Sequence, residues 1–263
     1  MFLNDLIINF GASPWNPRGK YRLYKILAAT FGTVGGTTPQ GIRLRFPADD
    51  VTGYYFFRGD YENQLIELIK ALPAGGIFID VGANVGNYSL IASRQLGPDG
   101  LVVAFEPVAA TYARLTGHIA LNQATNVIPF HAAVAPEVST AEMVVSDNSG
   151  LSHLGRSARA GYETTQRVAT VALDGLLPGL IGARDIDLVK IDVEGAELGV
   201  LQGAERLLRE KRIRMIHVEI APGNLARFGS TREGLWSFLE ARGYRPRFRT
   251  ADSPIYDEIF DRT

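Results

Sequence analysis

The chain has 263 residues, 46% hydrophobic and 21% charged, with 27 basic against 28 acidic side chains and no cysteine. That length suits one large α/β domain or one domain with a small appendage. The near-zero balance gives no global pull toward nucleic acid or an anionic membrane, and the missing cysteines exclude disulfides, thiolate metal sites and cysteine nucleophiles. No apolar run reaches the ~20 residues that span a bilayer. The opening "MFLNDLIINF" is apolar but lacks a basic leader and a small-residue cleavage site. A cytoplasmic protein is expected; the alternative is a short amphipathic N-terminal helix that touches a membrane or a partner.

In chain order, "YRLYKILAATFG" sets Leu23, Ile26, Leu27 and Phe31 at helical spacing. "GIRLRF" at 41–46 alternates apolar residues with arginines as a strand does, and Asp49 and Asp50 could turn it back into "TGYYFF". A helix follows in "ENQLIELIKAL", with Leu65, Leu68, Ile69 and Leu72 on one face and a stop at "PAGG". From residue 77 the rhythm is strand, helix, strand, helix. Strands read at 77–81, 101–106, 127–130, 187–193 and 213–220, and helices at 86–96, 108–121, 196–209 and 232–242. The second of these helices aligns Val108, Tyr112, Leu115 and Ile119; the last opens on a capping box, Ser230 with Glu233. Such alternation implies an α/β fold with a doubly wound, mostly parallel sheet covered on both faces. About 55 residues separate the third and fourth strands, too many for an ordinary connection. Within them "AEMVV" and "RVATVAL" read as an inserted hairpin around a polar 146–166 loop holding Asn148, Ser152 and His153.

In open parallel sheets ligands bind at the carboxyl ends of the strands, near the point where strand order reverses. The first strand and its turn read "IFIDVGANVGNYSL". A dinucleotide fingerprint would need glycines at 84 and 87, where Asn84 and Asn87 stand, and no Gly-Lys-Ser/Thr follows for a P-loop. What remains is Asp80, Gly82 and Gly86. An acid at the strand end repels phosphate and attracts a cation, Gly82 allows close approach, and Gly86 opens the helix. Glu106 in "AFEP" lies about 25 residues past the turn, where an acid takes ribose hydroxyls. Two acids without a phosphate anchor describe a ligand with a ribose and a positive charge, as in S-adenosylmethionine. The plainer readings are that Asp80 caps a helix and Glu106 is a solvated strand end.

The segments "FIDVGANVGNYSL", "AFEP", "LVKIDVEGAELGVLQG" and "IHVEIAP" resemble the FkbM family of S-adenosylmethionine-dependent methyltransferases. The resemblance covers roughly residues 57–221, including an upstream "GDYEN". It implies a class I, Rossmann-like methyltransferase fold with a seven-stranded, mostly parallel sheet and a reversed last strand. It also implies O-methylation of a sugar, glycolipid or polyketide-type hydroxyl, with S-adenosylhomocysteine as product. On this reading residues 1–60 are an N-terminal extension and 61–263 the methyltransferase domain. Natural-product or glycan biosynthesis is the expected setting; a homo-oligomer is compatible with it.

The cofactor set expected is Asp80, Gly82, Ala83, Asn84, Gly86, Asn87 and Ser89 at the turn, with Glu106 and Pro107 after the second strand. His131 and Ala132 follow the third strand, where backbone could read the adenine edge and the imidazole could stack on it. Asp192 borders both cofactor and acceptor, and Tyr61 and Glu62 could reach the amino-acid end, a contact the resemblance favours. Asn84, Asn87 and Ser89 can both donate and accept hydrogen bonds. An alcohol acceptor needs a base, or a metal that lowers its pKa. Asp192 ends the fourth strand, Glu194 follows in the turn, and Glu219 closes the fifth, with His217 two residues earlier on the same face. Asp192 could be the general base or orient it; Asp192, Glu194 and Glu219 could bind a divalent cation; or these acids could only favour helix N-termini. A carboxylate set suits Mg²⁺, although no metal is expected. Lys190 shares a face with Asp192 and reads as a structural partner of a carboxylate. His153 is the alternative base, His118 a surface or satisfied residue, and no paired-histidine metal spacing occurs.

Arg242, Arg245, Arg247 and Arg249 in "RGYRPRFRT" suit either an acidic substrate or, more plainly, a charged edge strand. A nucleic-acid or protein methyltransferase on the same fold is the first rival. For exocyclic amines it predicts an Asn/Asp-Pro-Pro-aromatic motif where "KIDVEG" stands. A non-catalytic module is the second, and it would be expected to lose the acids at 80 and 106.

Overall fold

The computed structural model describes residues 32–47, 50–58, 63–146, 153–154, 163–248 and 256–263, with positions 22 and 26 besides. The helix expected in "YRLYKILAATFG" therefore lies almost wholly outside the described residues. Strand β1 (Thr33–Thr37) pairs antiparallel with β2 (Arg43–Pro47). Alternation buries Leu44 and Phe46 of β2 and leaves Arg43, Arg45 and Pro47 outside. The chain does not turn back into a strand at "TGYYFF", because β2 is already paired with the segment before it. Val51–Arg58 is instead helix α1. A short aromatic run suits either state by periodicity alone. Packing decides: the Phe56 ring lies tilted and the Phe57 ring edge-on to Phe46, at 6.0 and 5.9 Å, and Gly53 lets the helix sit against that ring.

Helix α2 (Asn63–Lys70) buries Leu65, Ile66 and Ile69. Strand β3 (Ile77–Val81), helix α3 (Asn87–Leu96), strand β4 (Leu101–Phe105), helix α4 (Ala109–Asn122) and strand β5 (Val127–Phe130) follow. Next comes an insertion of β6 (Ala133–Val134), β7 (Ser139–Ser146), β8 (His153–Leu154) and β9 (Glu163–Val171), a separate sheet ordered β6-β9-β7-β8. The expected hairpin is its β7–β9 pair. Helix α5 (Leu173–Ile181) and strand β10 (Leu188–Ile191) return the chain to the main sheet. The single helix expected at 196–209 is two, α6 (Glu197–Gln202) and α7 (Glu205–Arg209). The break falls at Gly203, where a Cβ would overlap the Ala135 carbonyl oxygen.

The chain ends in β11 (Met215–Ile220), α8 (Pro222–Arg227), α9 (Arg232–Glu240), β12 (Tyr244–Pro246) and β13 (Tyr256–Arg262). Helix α9 is capped by Thr231, whose hydroxyl accepts from the Gly234 N–H at 3.0 Å. The expected cap, Ser230, is one residue early and buried.

The main sheet has the order β12-β13-β11-β10-β3-β4-β5. Strands β11, β10, β3, β4 and β5 run parallel, and β13 is antiparallel to both of its neighbours. Strand order therefore reverses beside β3, between its pairings with β4 and β10, and a ligand crevice is expected there. Strand parity assigns the faces. Ile77, Ile79 and Val81 pack with Val189, Ile191 and Val218 on one face, while Phe78 and Leu188 join Leu65, Leu90 and Leu115 on the other. Asp80, Lys190 and His217 share that second face, and the register sets Lys190 directly beside both Asp80 and His217. Three of the four residues of the expected helix stripe align: Leu115 is fully buried, with Tyr112 and Ile119 packed on the same cluster, whereas Val108 caps the helix and packs against Met143 and Val168 of the inserted sheet. His118 is buried and satisfied, its Nδ1 2.8 Å from the Val85 carbonyl oxygen while Nε2 accepts from the Arg45 N–H at 3.0 Å. No described helix is long and apolar enough to cross a membrane.

Candidate active site

The turn after β3 is built around Lys190. Its Nζ donates to the Gly82 carbonyl at 2.8 Å and lies 3.4 Å from Asp80 and 3.2 Å from Asp192. The reading of Lys190 as a carboxylate partner is thus realised twice. Asp80 is fully buried and accepts from the Ser89 hydroxyl at 2.6 Å. Strand parity directs both residues toward α3, beneath the turn, and neither lines the crevice. Gly82 has φ 82°, and a Cβ there would overlap the Asp192 carbonyl oxygen. The close approach that requires glycine is thus between two segments of the chain. Gly82→Ala is expected to cost about 3 kcal/mol or more, from left-handed strain plus backbone overlap. Tm should then fall by roughly 6–12 °C; a melt within 2 °C of wild type would discard this account.

Ala83 is tied down through its N–H to the Phe105 carbonyl, at 2.9 Å. Gly86 caps α3 at φ 89°, where a side chain would overlap Leu115. Asn84 adopts φ 50° and donates its N–H to Glu106 Oε2 at 3.0 Å. The side-chain oxygens of Asn84 and Asn87 are buried without a hydrogen-bond donor among the described residues.

Beside this turn opens a cleft that, with the solvent at its mouth included, takes in about 630 Å³. Of the expected residues it is lined by Gly82, Asn84, Glu106, Pro107, Ala132, Asp192 and Glu194. Ala83, Gly86 and Asn87 are not among its lining residues. Glu62 lies outside the described residues. His131 is exposed, stacked on Tyr112 at 4.8 Å, and does not line the cleft. Pairing sets β8 position 153 opposite Val144, next to Met143, which does line the cleft; the His153 side chain is not among those described.

Glu106 is buried and receives two backbone donors, Asn84 N–H on Oε2 and Val108 N–H on Oε1, the second at 2.9 Å. Burial outweighs both and lifts its pKa to about 7. Asp192, Glu194 and Glu219 each bring one oxygen within 4.8 Å of the others. At that spacing they could share a cation, and the chain itself brings Lys190 to Asp192. Glu194 is half-buried, at φ 57°, and accepts from the Asn224 amide at 2.7 Å. Burial, then the charges of Asp192 and Glu197, raises its pKa to about 7.

Three residues escaped the sequence reading. Met143 enters the cleft from the inserted sheet. Asn224 reaches Glu194 from α8. Asp257 on β13 faces Glu219 in register, and burial followed by the Asp192 charge lifts its pKa to about 6. Its Oδ2 lies 3.7 Å from His217 Nε2, an imidazole that burial holds near pKa 4. No sequence signal marks these residues, since each arrives through pairing between distant segments. In the arginine-rich segment, Arg242 pairs with Glu205 at 2.6 Å and Arg247 with Asp261 at 2.7 Å, while Arg249 lies outside the described residues.

A seven-stranded sheet with one reversed strand and a glycine turn at its switch point defines the class I, Rossmann-like methyltransferase fold, whose cofactor is S-adenosylmethionine. Within that class, the chain belongs to the FkbM methyltransferase family, whose domain model matches residues 80–246. It is similar to "Methyltransferase sdnD" of Sordaria araneosa, 28% identical over 165 residues, 52% of this chain and 63% of that one. It is also similar to the "AMB antimetabolite synthetase AmbE" of Pseudomonas aeruginosa, 29% identical over 214 residues, 68% of this chain and 10% of that one. The chain thus spans less than two thirds of either relative. Similar solved structures include a methyltransferase FkbM from Methylobacillus flagellatus, at 14% identity and a TM-score of 0.45, covering 98% of this chain and 58% of that one.

Proposed function

We propose that this chain methylates a hydroxyl of a small molecule, of the sugar, glycolipid or polyketide type, with Glu194 as the base. The observation that carries the reading is the placing of Glu106 and Glu194 on one cleft, on either side of the Gly82 turn. S-adenosylmethionine supplies the activated methyl and its own leaving group. The residues present suit it. Glu106 keeps a lone pair on each oxygen for the two ribose hydroxyls, while Phe105, Pro107, Ala132 and Met143 offer apolar walls for the adenine. The unpartnered amide oxygen of Asn84, which lines the cleft, suits the ammonium group, and the acids at 192 and 194 favour a sulfonium.

An alcohol is a weak nucleophile at neutral pH, and a base works best when its pKa lies near the working pH. Glu194 at about 7 meets that condition. Its Oε1, the oxygen not bonded to Asn224, would take the proton of the acceptor hydroxyl as that oxygen receives the methyl group. Asp192, fixed by Lys190, orients the acceptor, with Glu219 beside it. A small acceptor also accords with the near-zero net charge and with a relative named as an antimetabolite synthetase. Calorimetric titration tests the cofactor, with S-adenosylmethionine, S-adenosylhomocysteine and NAD, each with and without Mg²⁺. Micromolar binding of the two sulfur ligands alone supports it and opens a screen of hydroxylated glycans and polyketides. Absence of binding by both overturns it.

A further inference from the structure

Glu194 is held in a conformation that its own side chain disfavours. Its φ of 57° crowds a Cβ against the following carbonyl. Helix α8 holds the turn through two atoms of one residue. The Asn224 amide donates to Glu194 Oε2 at 2.7 Å. The Asn224 main-chain carbonyl lies within 2.5 Å of where a Cβ on residue 195 would stand, with the Phe228 ring beside it. Gly195, at φ 115°, is what lets α8 close on the turn.

The groups facing Glu194 divide by element. Asp192 before it and Glu197 at the start of α6 oppose its ionisation, and Glu219 of β11 brings an oxygen within 4.8 Å; Arg227 and Asn224, both on α8, favour it. An amide nitrogen only donates, so the Asn224 bond prefers the carboxylate to the acid. We propose that Asn224 is the positioning residue of the methyl-transfer site, aiming the Glu194 carboxylate into the cleft and keeping it ionised against the surrounding acids. The inference rests on Glu194 being the base.

The test needs no acceptor. Protein labelled with ¹³C at glutamate Cδ is titrated from about pH 5 to 9, and the Glu194 signal is the one missing from Glu194→Gln. Wild type should titrate near 7. Asn224→Ala should titrate about one pH unit higher, a tenfold change in proton affinity. Asn224→Asp keeps the shape, removes the donor and adds a like charge, so it should move at least as far; it carries the test alone if the alanine variant does not fold. Midpoints unchanged from wild type overturn the inference. Once an acceptor is found, Glu194→Gln at full turnover would remove the base reading while the titration result stands. An inactive Glu194→Gln with unmoved midpoints would remove Asn224 alone.

Discussion

Glu194→Gln is expected to lower the methyl-transfer rate roughly 10²–10⁴-fold while making the protein more stable at pH 8. The rate falls because an amide accepts no proton, although its oxygen can still receive the Asn224 hydrogen bond. The gain in stability has the opposite origin. In the folded chain the Glu194 carboxyl titrates near 7, against an ordinary value of 4.5. Above pH 7 it is ionised where burial, Asp192 and Glu197 all resist the charge. That penalty is complete above the folded value, shrinks as pH falls, and is gone below the unfolded one. A shift of this size corresponds to about 3 kcal/mol, which partial exposure reduces to roughly 1–2 kcal/mol. Melting curves should show the variant about 3–6 °C above wild type at pH 8, converging near pH 5. A variant that turns over at the wild-type rate would move the base to Asp192 or Glu219, and a variant no more stable at pH 8 would mean that Glu194 is not strained by its neighbours.

The parts of the site legible from sequence were those at strand ends. Glu106, Asp192 and Glu194 each stand just past an apolar run, and parallel topology alone brings such positions to one edge. Asp80 shows the limit of that argument. It occupies the expected place, but strand parity turns it to the α3 side, and periodicity does not say which face of β3 borders the ligand. "TGYYFF" failed for a related reason: six residues fit strand and helix equally until Phe46 supplies a surface to pack on. Ser230 was misread because Thr231, one residue later, offers the same capping hydroxyl in extended backbone. Met143, Asn224 and Asp257 depend on contacts between segments far apart in the chain, which no local pattern encodes.

These partial failures share a physical form. Local rules settle which residues stand at the crevice, and tertiary packing settles which charges are compensated there. Lys190 neutralises the floor of the site, where Asp80 and Asp192 converge. Glu106 and Glu194 lie on its walls, hydrogen-bonded to backbone or amide donors, and the charges of Lys190 and Arg227 do not offset their burial. Both are therefore raised toward neutrality, so a cationic ligand entering between them would gain two carboxylates that the protein alone keeps poorly ionised.

That balance makes cofactor affinity depend on pH, and Glu106 is expected to carry the dependence. With a pKa near 7, its ionised share rises from about one tenth at pH 6 to about nine tenths at pH 8. If the ribose hydroxyls donate only to the carboxylate, Kd for S-adenosylmethionine should fall about tenfold across that range. Glu106→Gln should bind roughly 10–100-fold more weakly at pH 8, having lost charge-assisted bonds, and should lose most of its dependence on pH. Geometry adds a second cost. Both carboxylate oxygens accept backbone N–H groups, so an amide nitrogen must face either Asn84 or Val108, donor against donor. Glu194→Gln serves as the control, because it removes the titration of the other raised acid that lines the cleft and should leave most of the slope in place. Calorimetry at pH 6, 7 and 8 on the three proteins separates the terms. A wild-type Kd that does not change with pH, or a slope that survives in Glu106→Gln and disappears in Glu194→Gln, would take the ribose from Glu106 and give the titration to Glu194.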